Sequence, residues 1–324
     1  MNIYFIDTLE LTYSSDFDDI IKLTKNFKMV DPKKGAGNKE FISTELSDMG
    51  IIIKTRRSSK AELYKNSSKY KLVLRINPNK FYKPYMKTEH ISNIIEFCDM
   101  VERLDMQIQY CFSGLTIDDF EITRVDLTED IHGIPEDKIT QYIRIMRQLY
   151  LTLGFHHNKK LEENTEGFDP DSSFNAVNDS KNVEFVVYNK GHEVRNKKNS
   201  SDEQKEHYKD TMRVEVRCRK KFADKLSEKA YTAQKLVEIY RRRMEVIRDV
   251  FDDVFVLNKD SCFISPYWQK KQIKKYVSGK TKLGEKMNDF SKQLAHASRP
   301  TMESVIENSE KCQRSVSKLL SKFE

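Results

Sequence analysis

Apolar and polar positions alternate with period two in several stretches of the chain, which predicts half-buried β-strands. Two of these stretches, joined by a short charged segment, organise the rest. In Val183-Glu-Phe-Val-Val-Tyr-Asn-Lys190, Val183, Phe185 and Val187 fall on one face, and Glu184, Tyr188 and Lys190 on the other. In Thr211-Met-Arg-Val-Glu-Val-Arg-Cys-Arg219, Met212, Val214, Val216 and Cys218 point to a core and Thr211, Arg213, Glu215, Arg217 and Arg219 point away. A third strand, Glu121 to Ile131, sets Val125, Leu127 and Ile131 against Arg124, Asp126, Thr128 and Asp130, and it ends at His132-Gly133. Ile3–Tyr13, Ile51–Thr55 and Tyr70–Ile76 read as further strands. The last is stopped at Asn77-Pro78, because proline lacks a ladder donor.

Helical spacing predicts helices over Asp16–Phe27, His90–Asp105 and, after Pro135, Glu136–Leu153. Asp31–Asn38 is a Pro/Gly loop, Arg56–Lys60 a basic turn, and Asn158–Ser180 a polar irregular stretch. Arg195–Glu206, rich in Lys, Asn and Ser, reads as a flexible loop. Beyond Lys220 the pattern turns helical, with segments at Thr232–Phe251, Gln269–Tyr276, Leu283–Ala297 and Met302–Phe323. The expected architecture is α+β: a mostly antiparallel central sheet with flanking helices over residues 1–222, then an all-helical domain over 223–324.

Composition adjusts this picture only slightly. Fifty-seven Lys and Arg against 50 acids in 324 residues leave a net charge of +7, which favours polyanionic partners without requiring them. No apolar run approaches the roughly 18 residues that a membrane span needs, and the opening residues lack the pattern of a signal peptide. Five scattered cysteines without a Cys-x-x-Cys pair argue against zinc and against a disulfide framework, and fit reduced thiols in a bacterial cytoplasm. No Gly-x-x-x-x-Gly-Lys-Ser/Thr loop is present, so the chain is not expected to drive a helicase with ATP.

The polar faces of the strands suggest a chemistry. Acids on neighbouring strands, Asp126, Asp130 and Glu215, can hold magnesium or manganese through oxygen ligands. A tyrosine hydroxyl beside such an ion can attack a phosphodiester, with Arg124, Lys190, Arg213 and Arg217 placing phosphates. By alternation alone, a charged strand face is more often simply solvated.

Three motifs in order tilt the balance: Arg75-Ile-Asn-Pro-Asn-Lys80; Thr123-Arg-Val-Asp-Leu-Thr-Glu-Asp130; and Tyr188-Asn-Lys-Gly-His-Glu193 followed by Arg213-Val-Glu-Val-Arg217. Together they resemble the trans-acting rolling-circle replication initiators of bacterial plasmids and the related relaxases, over residues 70 to 220. The resemblance implies that Tyr188 nicks one DNA strand, stays joined to the 5′ phosphate and frees a 3′ hydroxyl primer. It also implies Asp126, Asp130, Glu215 and Glu193 as candidates for a divalent metal site. Its further implications are origin DNA as partner (recognised double-stranded, cleaved single-stranded), a separate host helicase and a possible homodimer. Gly191-His192 departs from the family's more usual polar or basic pair, and residues 1 to 69 carry no matching motif. Tyr208 is a rival nucleophile outside the motif, and Arg241–Arg243 could touch phosphates or be a solvated face. A conjugative relaxase or filamentous-phage-type initiator would share the same chemistry, and a non-catalytic DNA-binding protein would use these faces for contact only.

Overall fold

The computed structural model describes residues 2–30, 38–57, 70–86, 88–148, 155–157 and 172–254. Among them, ten strands form one sheet in which every pairing is antiparallel. In chain order the strands are β1 (Asn2–Ser15), β2 (Lys28–Val30), β3 (Asn38–Ile42), β4 (Ile51–Arg57), β5 (Tyr70–Ile76), β6 (Glu121–His132), β7 (Phe155–His157), β8 (Ser173–Asn178), β9 (Val183–Asn189) and β10 (Thr211–Arg219). Their order across the sheet is β2-β3-β4-β5-β1-β6-β10-β9-β8-β7. The three strands singled out by their charged faces therefore lie side by side, β6 against β10 and β10 against β9.

The helices are α1 (Phe17–Thr24), α2 (Thr44–Asp48), α3 (Pro78–Tyr82), α4 (Ile94–Cys111), α5 (Glu136–Gln148), α6 (Lys190–Asn196), α7 (Asp202–His207), α8 (Lys220–Leu226) and α9 (Thr232–Val254). The apolar sheet face, with Ile6, Leu9, Leu74, Leu127, Phe185, Val214 and Val216, shares one core with Phe97, Met100 and Leu104 of α4, Ile139 and Ile143 of α5, and Leu236, Ile239 and Tyr240 of α9. Each such side chain removed from water contributes about 1.5–3 kcal/mol before entropy is counted.

Helix α9 is knitted into this body. Tyr240 stacks on Phe97 at 4.1 Å and its hydroxyl donates to the Ile91 carbonyl at 2.9 Å. Phe251 meets Phe185 edge-on at 5.7 Å. Residues 223–254, expected in a separate helical domain, thus pack on the sheet. The helices expected over 269–276, 283–297 and 302–323 lie outside the described residues. Arg243, expected to reach phosphates or solvent, lies 3.8 Å over the Tyr240 ring and donates to the carbonyls of Tyr4 and Ser92. It is a structural cation.

Local differences from the sequence reading have simple causes. Arg56 and Arg57 continue β4 because its partner β5 reaches as far as Tyr70. The polar stretch Asn158–Ser180 contains β8, which pairs with β9 and buries Phe174 and Ala176 in the core, a short apolar run that the surrounding polar residues mask. The segment read as a flexible loop, Arg195–Glu206, holds the end of α6 and nearly all of α7. In α7 a capping box, with Ser201 and Gln204 each accepting from the other's backbone N–H, starts a helix that composition hides. Expected helix ends at Asp105 and Phe27 also move, to Cys111 and Thr24.

Candidate active site

The sheet face opposite the helices carries the chemistry. Its residues register across strands: Asp130 opposes Arg213, which opposes Tyr188, and Thr128 opposes Glu215. A cleft of about 480 Å³ opens at this end of the sheet. Tyr188, Lys190, Glu193 and Arg213 line it, joined by Asp7, Asn79, His90 and Tyr208.

The cleft is assembled from a strand irregularity and three short segments. In β1 the buried positions run Tyr4 and Ile6, then Leu9 and Leu11, so the parity changes between Ile6 and Thr8. The pairing with β6 slips there, and the extra residue, Asp7, faces the cleft. The Asn77-Pro-Asn-Lys80 motif holds this bulge in place. Asn77 caps α3 by accepting from the Lys80 N–H at 2.9 Å, and Pro78 sits at the first turn, where its missing N–H is harmless. The buried Asn79 side chain donates to the Ile6 carbonyl at 3.0 Å and accepts from the Ile91 N–H at 2.8 Å. One amide thereby ties the bulge to the segment that carries His90.

Asn189 caps α6 by accepting from the His192 N–H at 2.9 Å, which turns the chain sharply after Tyr188. Its amide also donates to Glu136 at 3.2 Å, and Glu136 pairs with Arg195. The turn sends Lys190 and Glu193 into the cleft, where the ammonium donates to Glu193 at 2.6 Å. Lys197 closes on the same carboxylate. These cations hold the Glu193 carboxyl below its ordinary range despite burial. Burial, with Arg213 nearby, lowers the Lys190 ammonium. Gly191 is where α6 passes over the Tyr208 carbonyl: a Cβ there would stand 2.7 Å from that oxygen. Glycine at this departure from the family pattern is therefore a packing requirement.

The Tyr188 hydroxyl donates to Glu215 Oε1 at 2.6 Å. The other oxygen of Glu215 accepts from Nε and Nη2 of Arg217 at 3.1 and 2.9 Å, which aims the carboxylate. Burial, then the negative charge of Glu215, pushes the Tyr188 phenol well above its usual range. Arg213, 3% exposed, forks onto Asp130 at 2.6 and 2.7 Å and lies 3.6 Å from Asp7. Burial would raise the Asp130 carboxyl, but this ion pair outweighs it and holds Asp130 below its usual value. Arg124 donates through Nε to Asp126 at 2.7 Å, and Asp126 is nonetheless pushed up to about 6 by burial. Arg217 also reaches Glu184 at 3.6 Å.

The four acids expected around a metal do not form one ligand set. Asp126 and Asp130 are four residues apart on β6, about 13 Å along the strand. Asp126, Asp130, Glu215 and Glu193 are engaged by Arg124, Arg213, Arg217 and Lys190 respectively, and among the described residues no three His, Cys, Asp or Glu side chains come together to hold an ion. As a set they do not fit a single divalent cation. Of the four expected phosphate-binding cations, Lys190 and Arg213 face the cleft, whereas Arg124 and Arg217 lie along the sheet face behind it.

Sequence reasoning missed His90, Asp7 and the placement of Tyr208, and it quoted Asn79 within a motif without giving it a role. The parity change in β1 and the Ser201-x-x-Gln204 box were readable signals. His90 stacks on Phe5 at 3.8 Å, and burial drives its pKa down to about 3. Tyr208, set aside as part of a charged loop, is buried and lines the cleft. The pair His156-His157 forms the edge strand β7, with His156 near Asp179.

A helix-backed antiparallel sheet thus brings Tyr188 and Glu193 to a cleft that Lys190 and Arg213 also line. The model of the Phage_CRI family, which describes the N-terminal region of a phage replication-associated protein, matches residues 8–240, and the chain belongs to that family. Among solved structures, the chain is similar to the rolling circle replication initiator protein from Geobacillus stearothermophilus, with 10% identity over 85% of this chain and 96% of that one, at a TM-score of 0.41. No curated protein sequence matches. The chain is thus a member of a family of replication-associated proteins, and no helix among the described residues is long and apolar enough to cross a membrane.

Proposed function

We propose that this chain is a rolling-circle initiator that nicks and rejoins one strand of its origin DNA through a covalent bond between Tyr188 and the 5′ phosphate, leaving a 3′ hydroxyl as primer. The observation that carries the reading is the 2.6 Å hydrogen bond from the Tyr188 hydroxyl to Glu215, at the edge of a cleft containing Lys190 and Arg213. A phenol whose pKa is raised by burial is un-ionised at rest, so attack has to be coupled to loss of its proton. Glu215, aimed by Arg217, is the acceptor. As the Tyr188 oxygen bonds to phosphorus, Lys190 and Arg213 attract the charge that builds on the non-bridging oxygens. In rejoining, Glu215 returns the proton to Tyr188 as the 3′ hydroxyl attacks.

Duplex recognition of the origin, a host helicase and a homodimer belong to this reading as partners. In the divided chain we envisage, residues beyond the sheet body serve recognition or dimerisation. The test is incubation of the full-length protein with labelled single-stranded oligonucleotides tiling its own replicon, with magnesium or manganese added and omitted in parallel. Wild type should form a covalent adduct and Tyr188→Phe should not. Tight duplex binding with no cleavage of any oligonucleotide would instead establish a binding-only protein.

A further inference from the structure

Two tyrosines face the cleft with opposite hydrogen-bond polarity. Tyr188 donates inward, to Glu215. The Tyr208 oxygen lies instead 3.2 Å from His90 Nε2, with the Arg213 guanidinium carbon 5.6 Å from the Tyr208 ring centre. The neighbours of His90 select its tautomer. Its ring is buried against Phe5 and neutral, so one nitrogen carries a hydrogen. Nε2 also faces Asp130 Oδ2 at 3.6 Å, and a carboxylate repels a lone pair but attracts an N–H. Nε2 therefore holds the hydrogen and donates to Tyr208, while Nδ1 has no partner. With His90 donating and the Arg213 cation beside the ring, the Tyr208 proton is left to point into the cleft that Tyr208 lines.

We propose that Tyr208 is the general acid of strand cleavage, delivering its phenolic proton to the 3′ oxygen that departs as Tyr188 bonds to phosphorus. The proposal rests on Tyr188 as nucleophile. The step balances. The Tyr188 oxygen–phosphorus bond forms and its proton passes to Glu215; the phosphorus–3′ oxygen bond breaks and that oxygen takes the Tyr208 proton. The Tyr208 phenolate is then held by the Arg213 cation and the His90 N–H. The Lys190 ammonium, 5.8 Å from the Tyr188 ring centre and 5.4 Å from that of Tyr208, sits where a phosphate placed between the two tyrosines would be. Burial keeps Tyr208 protonated, at about 12, yet it remains a stronger acid than an alkanol. On rejoining, the phenolate takes the proton back from the attacking 3′ hydroxyl.

A sulfur leaving group tests this, because a thiolate departs without protonation. The oligonucleotide that the wild type cleaves is resynthesised with sulfur in place of the 3′-bridging oxygen, and single-turnover adduct formation is timed. Tyr208→Phe should slow the oxygen substrate about 10²–10⁴-fold, the usual value of a positioned acid, and the sulfur substrate less than about tenfold. Equal slowing on both substrates, or none on either, would overturn the assignment, as would sulfur rescue in Lys190→Met but not in Tyr208→Phe. Should Tyr208→Phe not fold, His90→Leu is expected to show a sulfur-rescued defect and His90→Gln, which keeps an N–H, a much smaller one. An adduct persisting in Tyr188→Phe would sink the nucleophile reading itself, which separates the two failures.

Discussion

The Tyr188 hydroxyl donates to the Glu215 carboxylate at 2.6 Å from a neighbouring strand, and in the proposed chemistry the two serve as nucleophile and base. Glu215→Gln keeps the shape and a hydrogen-bonding group but removes the proton acceptor. Adduct formation should fall about 10²–10⁴-fold with oligonucleotide affinity changed little. An unchanged rate under single-turnover conditions would show that the proton goes elsewhere.

Asn79 links Ile6 and Ile91 across buried backbone groups. Asn79→Ala leaves a carbonyl and an N–H unpaired, each costing about 1–3 kcal/mol, so chemical denaturation should show a loss in that range or somewhat above it. Cleavage should fall as well, because both Asp7 and His90 are released. Full stability in the variant would remove Asn79 from the account.

Gly191→Ala places a methyl 2.7 Å from the Tyr208 carbonyl. Helix α6 or the Tyr208 segment must shift, which should destabilise by about 1–3 kcal/mol and slow cleavage more than binding. Calorimetry and adduct kinetics on the same preparation test the two effects separately.

Much of this site was legible in the sequence. The alternation in 183–189 and 211–219 put Tyr188, Arg213, Glu215 and Arg217 on one face, and they share it. What alternation does not encode is which charge meets which. Asp126, Asp130 and Glu215 look alike along a strand, yet cross-strand register and two-residue spacing give each its own arginine. Tyr208 and His90 were hidden for a different reason. They reach the cleft from a short helix end and from the segment before α4, placed by tertiary contacts that leave no period in the sequence. The long-range order of the sheet, with β1 between β5 and β6, was likewise invisible to local pattern.

Glu129 lies on the core face, fully buried, near Tyr4 and Arg248, and burial pushes its carboxyl up to about 7. A raised carboxyl pKa favours the folded state while the group is protonated, so this contribution is complete below about 4.5 and is lost as pH rises through about 7. Glu129→Gln should therefore gain stability relative to wild type between pH 5 and pH 8, by on the order of 2–4 kcal/mol. Melting temperatures of both proteins across that range test it; parallel curves would contradict it.

The identity of the DNA-linked residue tests the central claim most directly. After cleavage of a single-stranded origin oligonucleotide, the adduct is digested with protease and nuclease and sequenced by mass spectrometry. The account predicts a nucleotide joined through its 5′ phosphate to Tyr188, in the peptide containing Val186-Val-Tyr-Asn-Lys190. Linkage at Tyr208, at any other residue, or through a 3′ phosphate would contradict it.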